Sequence, residues 1–202
     1  MENGYKLEIQ GVSKVFLTAD GYKVAIDGVS LRVRENEFVV LLGPGECGKS
    51  VLLNVIAGLT EATCGEIFID GRPSGGINPA VGMVFQELGI MPWLTVRDNV
   101  AMPEKLRGVA KRERHAHVQQ YIDLVGLRGF ERYYPNQLSG GMKQRVGIAR
   151  AYAGDCDILL MDEPFGKLDA QTRYSMQDEI LKIWNRNRKT VIFVTNNIEE
   201  AV

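Results

Sequence analysis

The 202-residue chain reads as an α/β protein: a mainly parallel sheet that carries a glycine-rich loop and is interrupted by a helical segment. Three observations predict this. Phe38-Val39-Val40-Leu41-Leu42 is a continuous apolar run, the mark of a strand buried on both faces, and it leads straight into Gly43–Ser50. Two later apolar runs, Ile158–Met161 and Val191–Val194, flank an amphipathic helical pattern from about Ala170 to Asn185. Strands separated by helices favour parallel pairing. Between about Pro92 and Tyr152 the pattern turns helical.

The elements follow in order. Residues 5–9 and 29–33 cluster apolar side chains as strands do, with turn-rich Thr18–Tyr22 between them. After the glycine loop, Leu52, Val55 and Ile56 fall at helical spacing before Gly58. Ile67–Ile69 ends in an Asp70-Gly71 turn, and Val81–Phe85 reads as another strand. The helical stretch divides into Arg97–Ala101, Lys111–Val125 and a helix opened by Ser139. No internal repeat or low-complexity linker is visible.

Bulk properties narrow the function. Twenty-four basic and 25 acidic residues give a net charge of −1, which argues against a nucleic-acid partner. The longest apolar runs fall far short of the roughly 20 residues of a membrane span. MENGYKLEIQ lacks the regions of a signal peptide. Cys47, Cys64 and Cys156 are scattered and fit no metal spacing, consistent with a reducing cytosol.

The chemistry concentrates in a few motifs. Gly43–Ser50 matches G-x-x-x-x-G-K-S: loop N–H groups and the following helix N-terminus face phosphates, Lys49 supplies a point charge, and the Ser50 hydroxyl suits Mg²⁺. Asp162 ends an apolar strand that would hold its carboxylate near the metal, and Glu163 follows, suited to polarise an attacking water. Ser139-Gly140-Gly141 at a helix start exposes N–H donors and a hydroxyl to an anion; a plain N-cap is the alternative.

Leu138-Ser139-Gly140-Gly141-Met142-Lys143-Gln144-Arg145, lying between the phosphate loop and Ile158–Pro164, resembles the signature of ATP-binding cassette (ABC) ATPases. That order of motifs covers most of the chain. The resemblance implies a RecA-like P-loop NTPase core with an N-terminal antiparallel β subdomain. It also implies one ATP-binding domain over residues 1–202, with a helical subdomain inserted at about 90–155. ATP and Mg²⁺ follow as ligands. Gly43, Pro44, Gly45, Glu46, Cys47, Gly48, Lys49, Ser50 and Val51 become the ATP-binding segment, and Phe16 the ring that stacks on adenine, with Tyr22 its competitor. Asp162 resembles the Walker B aspartate and Glu163 the catalytic glutamate. By the same resemblance Gln86 ligates Mg²⁺ or its water and senses the permease. Ser139, Gly140 and Gly141 would contact the nucleotide of the opposite subunit and Asp169 would lie at the dimer interface, so ATP should drive homodimerisation.

Met91–Val96, Leu160–Gly166 and Leu168–Arg173 resemble one branch of the family, the ATP-binding subunits of nitrate, sulfonate and taurine importers. Partners would then be membrane permease subunits and an extracytoplasmic solute-binding protein, and the protein would sit in the cytoplasm on the inner face of the membrane. Pro92 and Trp93 become candidates to dock the permease, with core packing the alternative. Relatives usually continue past the final Glu199-Glu200-Ala201-Val202, so the chain is expected to be truncated or naturally short at its C-terminal end.

Two positions depart from the family. Asn196 stands where the pattern places a histidine that contacts the γ-phosphate and the attacking water. An asparagine amide still donates a hydrogen bond but carries no charge. Gly45-Glu46 replaces serine-glycine, so a carboxylate enters the phosphate loop; either it strains the backbone, or it points to solvent while the loop flexes at Gly45. These departures keep a second reading open, a degenerate cassette that binds ATP and dimerises but hydrolyses poorly. A soluble cassette of DNA repair or translation fits less well, for lack of long insertions or paired cassettes.

Overall fold

A computed structural model describes residues 4–201 apart from 87, 88, 167 and 169. The chain divides into two units: Met1–Val81 with Asp157–Asp162 and Lys189–Val202, and Gly82–Cys156 with Glu163–Arg188.

In the first unit, β1 (Leu7–Thr18) and β2 (Gly21–Val33) form a long antiparallel ribbon, with β4 (Cys64–Ile69) on the other side of β1 and the short β5 (Arg72–Pro73) beyond it. The two strands run much further than residues 5–9 and 29–33. Their distal halves are largely exposed and mix apolar residues such as Val15, Phe16, Leu17, Tyr22 and Val24 with polar ones, so no clean alternation marks them in sequence. β1 buries Leu7, Ile9 and Val12, and register shifts around Val12 and Lys14 let the ribbon twist past its neighbours.

The second sheet of this unit is parallel. β3 (Phe38–Leu42) pairs with β8 (Thr190–Thr195), and β8 pairs with β7 (Ile158–Asp162); β6 (Val81–Val84) begins beyond β7. β7 and β8 are buried along their whole lengths. The expectation that Phe38–Leu42 is buried on both faces needs correction: as the end strand of this sheet it is half-buried, and Leu42 is exposed. Register has a functional consequence. Leu42 lies opposite Thr195 and Asp162 opposite Val194, so three strands finish at one edge and present the glycine loop, Asp162 and Asn196 together.

α1 (Lys49–Ile56) leaves the loop and buries Leu52, Leu53, Val55 and Ile56. Its N-cap, Gly48, has φ 96°, and a β-carbon there would stand 2.1 Å from the Ala25 carbonyl oxygen. Only glycine lets the helix start that close to β2.

The second unit is helical: α2 (Val96–Val100), α3 (Met102–Leu106), α4 (Lys111–His117), α5 (Gln119–Leu124), α6 (Gly140–Ala153) and α7 (Ala170–Arg186). The single helix expected over Lys111–Val125 is interrupted at Val118, which is fully buried and closes α4 as its C-cap. α4 itself buries no side chain, whereas α5 buries Ile122. Among the described residues no helix is long and apolar enough to cross a membrane.

Candidate functional site

The glycine loop stands open to solvent over Pro44–Cys47. Its first N–H, from Gly43, reaches the Thr195 carbonyl at 3.3 Å, which ties the loop to the end of β8. The Lys49 ammonium folds back over the loop, donating to the carbonyls of Gly43 (2.7 Å) and Pro44 (2.6 Å) and lying 3.5 Å from Cys47 Sγ. A phosphate oxygen entering the loop competes for those same donors. Val51, the third residue of α1, is half-buried.

Ser50 and Asp162, 112 residues apart, meet here: Ser50 Oγ donates to Asp162 Oδ1 at 2.8 Å. Asp162 is 8 % exposed. Burial raises its carboxyl pKa above the ordinary 3.8, against the opposing pull of the Ser50 hydrogen bond and the Lys49 charge. A hydroxyl and a carboxylate held this close are the hard oxygen donors that suit Mg²⁺, which binds through one or two protein oxygens plus substrate phosphates. The residues present fit the ion.

Strain in the loop falls on Glu46, exposed with φ 61°, while Gly45 keeps a negative φ. The two readings offered for Gly45-Glu46 therefore combine: the carboxylate does face solvent, but the left-handed turn sits on the residue with a β-carbon and not on the glycine.

Asn196 is exposed immediately past β8, in line with the loop and Asp162. Phe16 is 39 % exposed on β1, opposite Lys23, with the Lys14 ammonium 5.1 Å from the ring centroid. Its competitor, Tyr22, is 74 % exposed and pairs with Leu17. Opposed residues on a ribbon share a face and successive ones alternate, so the two rings lie on opposite faces.

In the second unit, Glu163 follows Asp162 directly in the chain and takes φ 41°. Its carbonyl accepts from the Gly166 N–H at 3.1 Å, closing a turn. A β-carbon at Gly166 would lie 3.8 Å from Glu163 Oε2 and 3.9 Å from Gln86 Nε2, so that carboxylate and that amide converge on one backbone point. Gln86 is exposed.

Ser139 is the N-cap of α6, its Oγ accepting from Met142 N at 3.3 Å. The cap spends a lone pair and leaves the hydroxyl proton available to an anion, so capping and anion binding coexist. Ser139 and Gly140 are exposed; Gly141 is buried, and a β-carbon there would meet Thr172 Cγ2 at 2.9 Å. A cavity of about 330 Å³ lies beside them, lined in part by Ser139, Arg145, Gln171 and Ser175. Arg145 is fixed by Glu179 at 2.6 Å. Asp169 lies outside the described residues.

Trp93 is 70 % exposed and Pro92 is exposed too, which removes core packing as their explanation. Their loop is organised by a residue that belongs to none of the motifs. Fully buried Asn99 accepts from Met91 N (2.9 Å) and donates to the carbonyls of Met91, Leu94 and Thr95. No pattern flags a lone asparagine within a helix, so only the fold reveals it.

Comparison with known proteins places this geometry. A family model described as ABC transporter matches residues 26–166. An ABC transporter ATP-binding protein of Methanocaldococcus jannaschii is 48 % identical over 197 residues, covering 98 % of this chain and 74 % of the relative. A taurine import ATP-binding protein of Burkholderia pseudomallei is 45 % identical over 98 % of this chain and 76 % of its own length. A nitrate import ATP-binding protein of Synechocystis sp. is 44 % identical over 97 % and 74 %. Among solved structures, a dimeric bacterial ABC transporter cassette superposes with a TM-score of 0.84 at 33 % identity, covering 96 % of this chain and 90 % of that one. A dimeric post-hydrolysis state of an ATP-binding cassette, bound to ADP and phosphate, gives 0.83 at 32 % identity with the same coverage.

Proposed function

This chain belongs to the ABC transporter family, and we propose that it is the ATP-binding subunit of an importer, coupling ATP binding and hydrolysis to uptake of a small solute such as nitrate, a sulfonate or taurine. The observation that carries the reading is the Ser50–Asp162 pair, a hydroxyl and a buried carboxylate 2.8 Å apart at the foot of an open phosphate loop. The taurine and nitrate importer relatives support the choice of branch.

In this reading the loop N–H groups and the N-terminus of α1 receive the phosphates, and the Lys49 donors pass from the carbonyls of Gly43 and Pro44 to phosphate oxygens. Ser50 and Asp162 would hold Mg²⁺, with Gln86 as a further oxygen donor, and the ion would supply charge neutralisation for the phosphates. Glu163 takes a proton from the attacking water and orients it, and the Asn196 amide donates to the γ-phosphate. Phe16 stacks on the adenine, a contact worth about 1–3 kcal/mol that tolerates phenylalanine. Ser139 and the N–H groups of Gly140 and Gly141 complete the site on a second copy, with Asp169 at the same interface, so ATP binding closes a homodimer with two shared sites.

Permease subunits hold this dimer against the inner face of the membrane. An extracytoplasmic binding protein delivers the solute, and Pro92 and Trp93 offer an exposed face for the permease. A second reading, a cassette that binds ATP and dimerises but turns over slowly, is favoured by the strained, negatively charged Glu46 and by the uncharged Asn196. Steady-state phosphate release by the purified chain, compared with its Glu163→Gln variant, separates the two. Magnesium-dependent release lost in the variant supports the enzyme; equal release from both defeats it.

A further inference from the structure

The segment that follows β8 is held by a relay which none of the nucleotide motifs includes. Thr195, the last residue of β8, is 1 % exposed, and its side chain works in both directions. Its Oγ1 accepts from the Asn197 N–H at 3.0 Å and donates to Glu200 Oε2 at 2.6 Å. Its carbonyl accepts the first N–H of the phosphate loop, from Gly43. Downstream, Asn197 Oδ1 accepts from the Glu199 N–H at 2.9 Å and closes a tight turn over Ile198–Glu200, which returns the Glu200 carboxylate to the threonine.

Asn196 is the one residue between these two anchors. On its N-terminal side Thr195 is fixed to β3 and the loop; on its C-terminal side Asn197 is fixed to the hydroxyl of Thr195. A hydroxyl that accepts from an amide while donating to a carboxylate makes two mutually strengthening hydrogen bonds, the second charge-assisted and short. Burial keeps water from substituting for either partner.

We propose that Glu200, acting through Thr195, is a positioning residue that fixes where Asn196 presents its amide to the γ-phosphate. The inference rests on the turnover reading given under Proposed function. It assigns the acidic residue four positions past Asn196 a role in rate and not in nucleotide affinity. The arrangement also gives an uncharged amide a reason to function at this position. Asparagine is shorter than histidine and tolerates less error in placement, so its backbone must be held more closely.

The test uses the full chain and compares Glu200→Ala, Glu200→Gln, Thr195→Val and Thr195→Ser. Steady-state phosphate release is measured alongside hydrogen–deuterium exchange of the peptide spanning residues 194–201. Glu200→Ala and Thr195→Val should each lower kcat about ten-fold with KM for ATP within about two-fold, and should speed exchange at Asn197 and Glu199. Thr195→Ser, which keeps the hydroxyl, should stay within about two-fold of the parent, and Glu200→Gln, which keeps an acceptor without charge, should fall between. In an Asn196→Ala background, Glu200→Ala should lower kcat no further. A loss that persists in that background, a loss confined to KM, or unchanged exchange in both Glu200→Ala and Thr195→Val overturns the proposal. If the parent chain releases no phosphate, the turnover reading is what fails, and the exchange of residues 194–201 alone still decides whether Glu200 holds the segment.

Discussion

Replacing Glu46 by glycine should make the protein both more stable and a tighter binder of ATP, through two separable effects. Glu46 holds φ 61° in an exposed loop. A left-handed conformation costs a residue with a β-carbon about 1–2 kcal/mol. Glycine removes that cost but gives back roughly 0.5–1 kcal/mol through the greater freedom of the unfolded chain. The net gain is about 0.5–1 kcal/mol, which for a domain of this size raises Tm by about 1–4 °C. The second effect is charge. A carboxylate roughly 7 Å from a phosphate charge in water-like surroundings repels it by about 0.6 kcal/mol, close to three-fold in affinity. Glu46→Gln separates the two, because it removes the charge and keeps the strain. The expected pattern is a Tm gain for Glu46→Gly only, and about three-fold tighter ATP binding for both variants, shrinking as salt is raised. Thermal unfolding without nucleotide and calorimetric titration with ATP at two ionic strengths supply the numbers. A Glu46→Gly protein no more stable than Glu46→Gln refutes the strain argument; unchanged affinity in both refutes the electrostatic one.

Three other substitutions probe separate parts of the account. Asp162→Asn should raise Tm at neutral pH while abolishing magnesium-dependent phosphate release. Burial lifts this carboxyl pKa in the folded state, so its favourable contribution is complete below the ordinary 3.8 and is lost as pH rises through the raised folded value. The stability advantage of Asp162→Asn, followed by thermal unfolding across pH, should accordingly shrink as pH falls into the carboxylate range. Asn196→His should raise kcat in a phosphate-release assay and leave ATP affinity largely unaltered; turnover no faster than the parent's removes Asn196 as the brake. Asn99→Ala takes the buried amide away from the Met91 N–H and the Leu94 carbonyl and leaves a void in its place, a loss of about 2–3 kcal/mol that should lower Tm by roughly 5–10 °C and speed proteolysis at Met91–Thr95.

The sequence carried much of this architecture because its strongest signals are local. A buried strand running into a glycine loop, and apolar strands interrupted by amphipathic helices, depend on neighbours a few residues apart. The edges of the antiparallel ribbon were harder to see, since the distal halves of β1 and β2 are exposed on most positions and carry no alternation. The interruption of Lys111–Val125 at Val118 is hidden for the opposite reason: apolar spacing runs through it, and no breaker residue marks the buried Val118 at which the helix divides. At the site, Ser50 and Asp162 could be named from motifs, but their hydrogen bond needs the register of β7 on β8. Thr195, Glu200 and Asn99 escaped because their roles lie in partners that only the folded chain brings within reach.

The central claim is that this chain hydrolyses ATP with Glu163 as the base, at a site completed by a second copy. Phosphate release should be measured in excess ATP and Mg²⁺ over a range of protein concentrations, for the parent chain and for Glu163→Gln. The rate per chain should rise with concentration in the parent. Glu163→Gln should show at least a hundred-fold lower rate and an ATP-dependent dimer on size-exclusion chromatography. A rate per chain independent of concentration and unchanged by Glu163→Gln would contradict it.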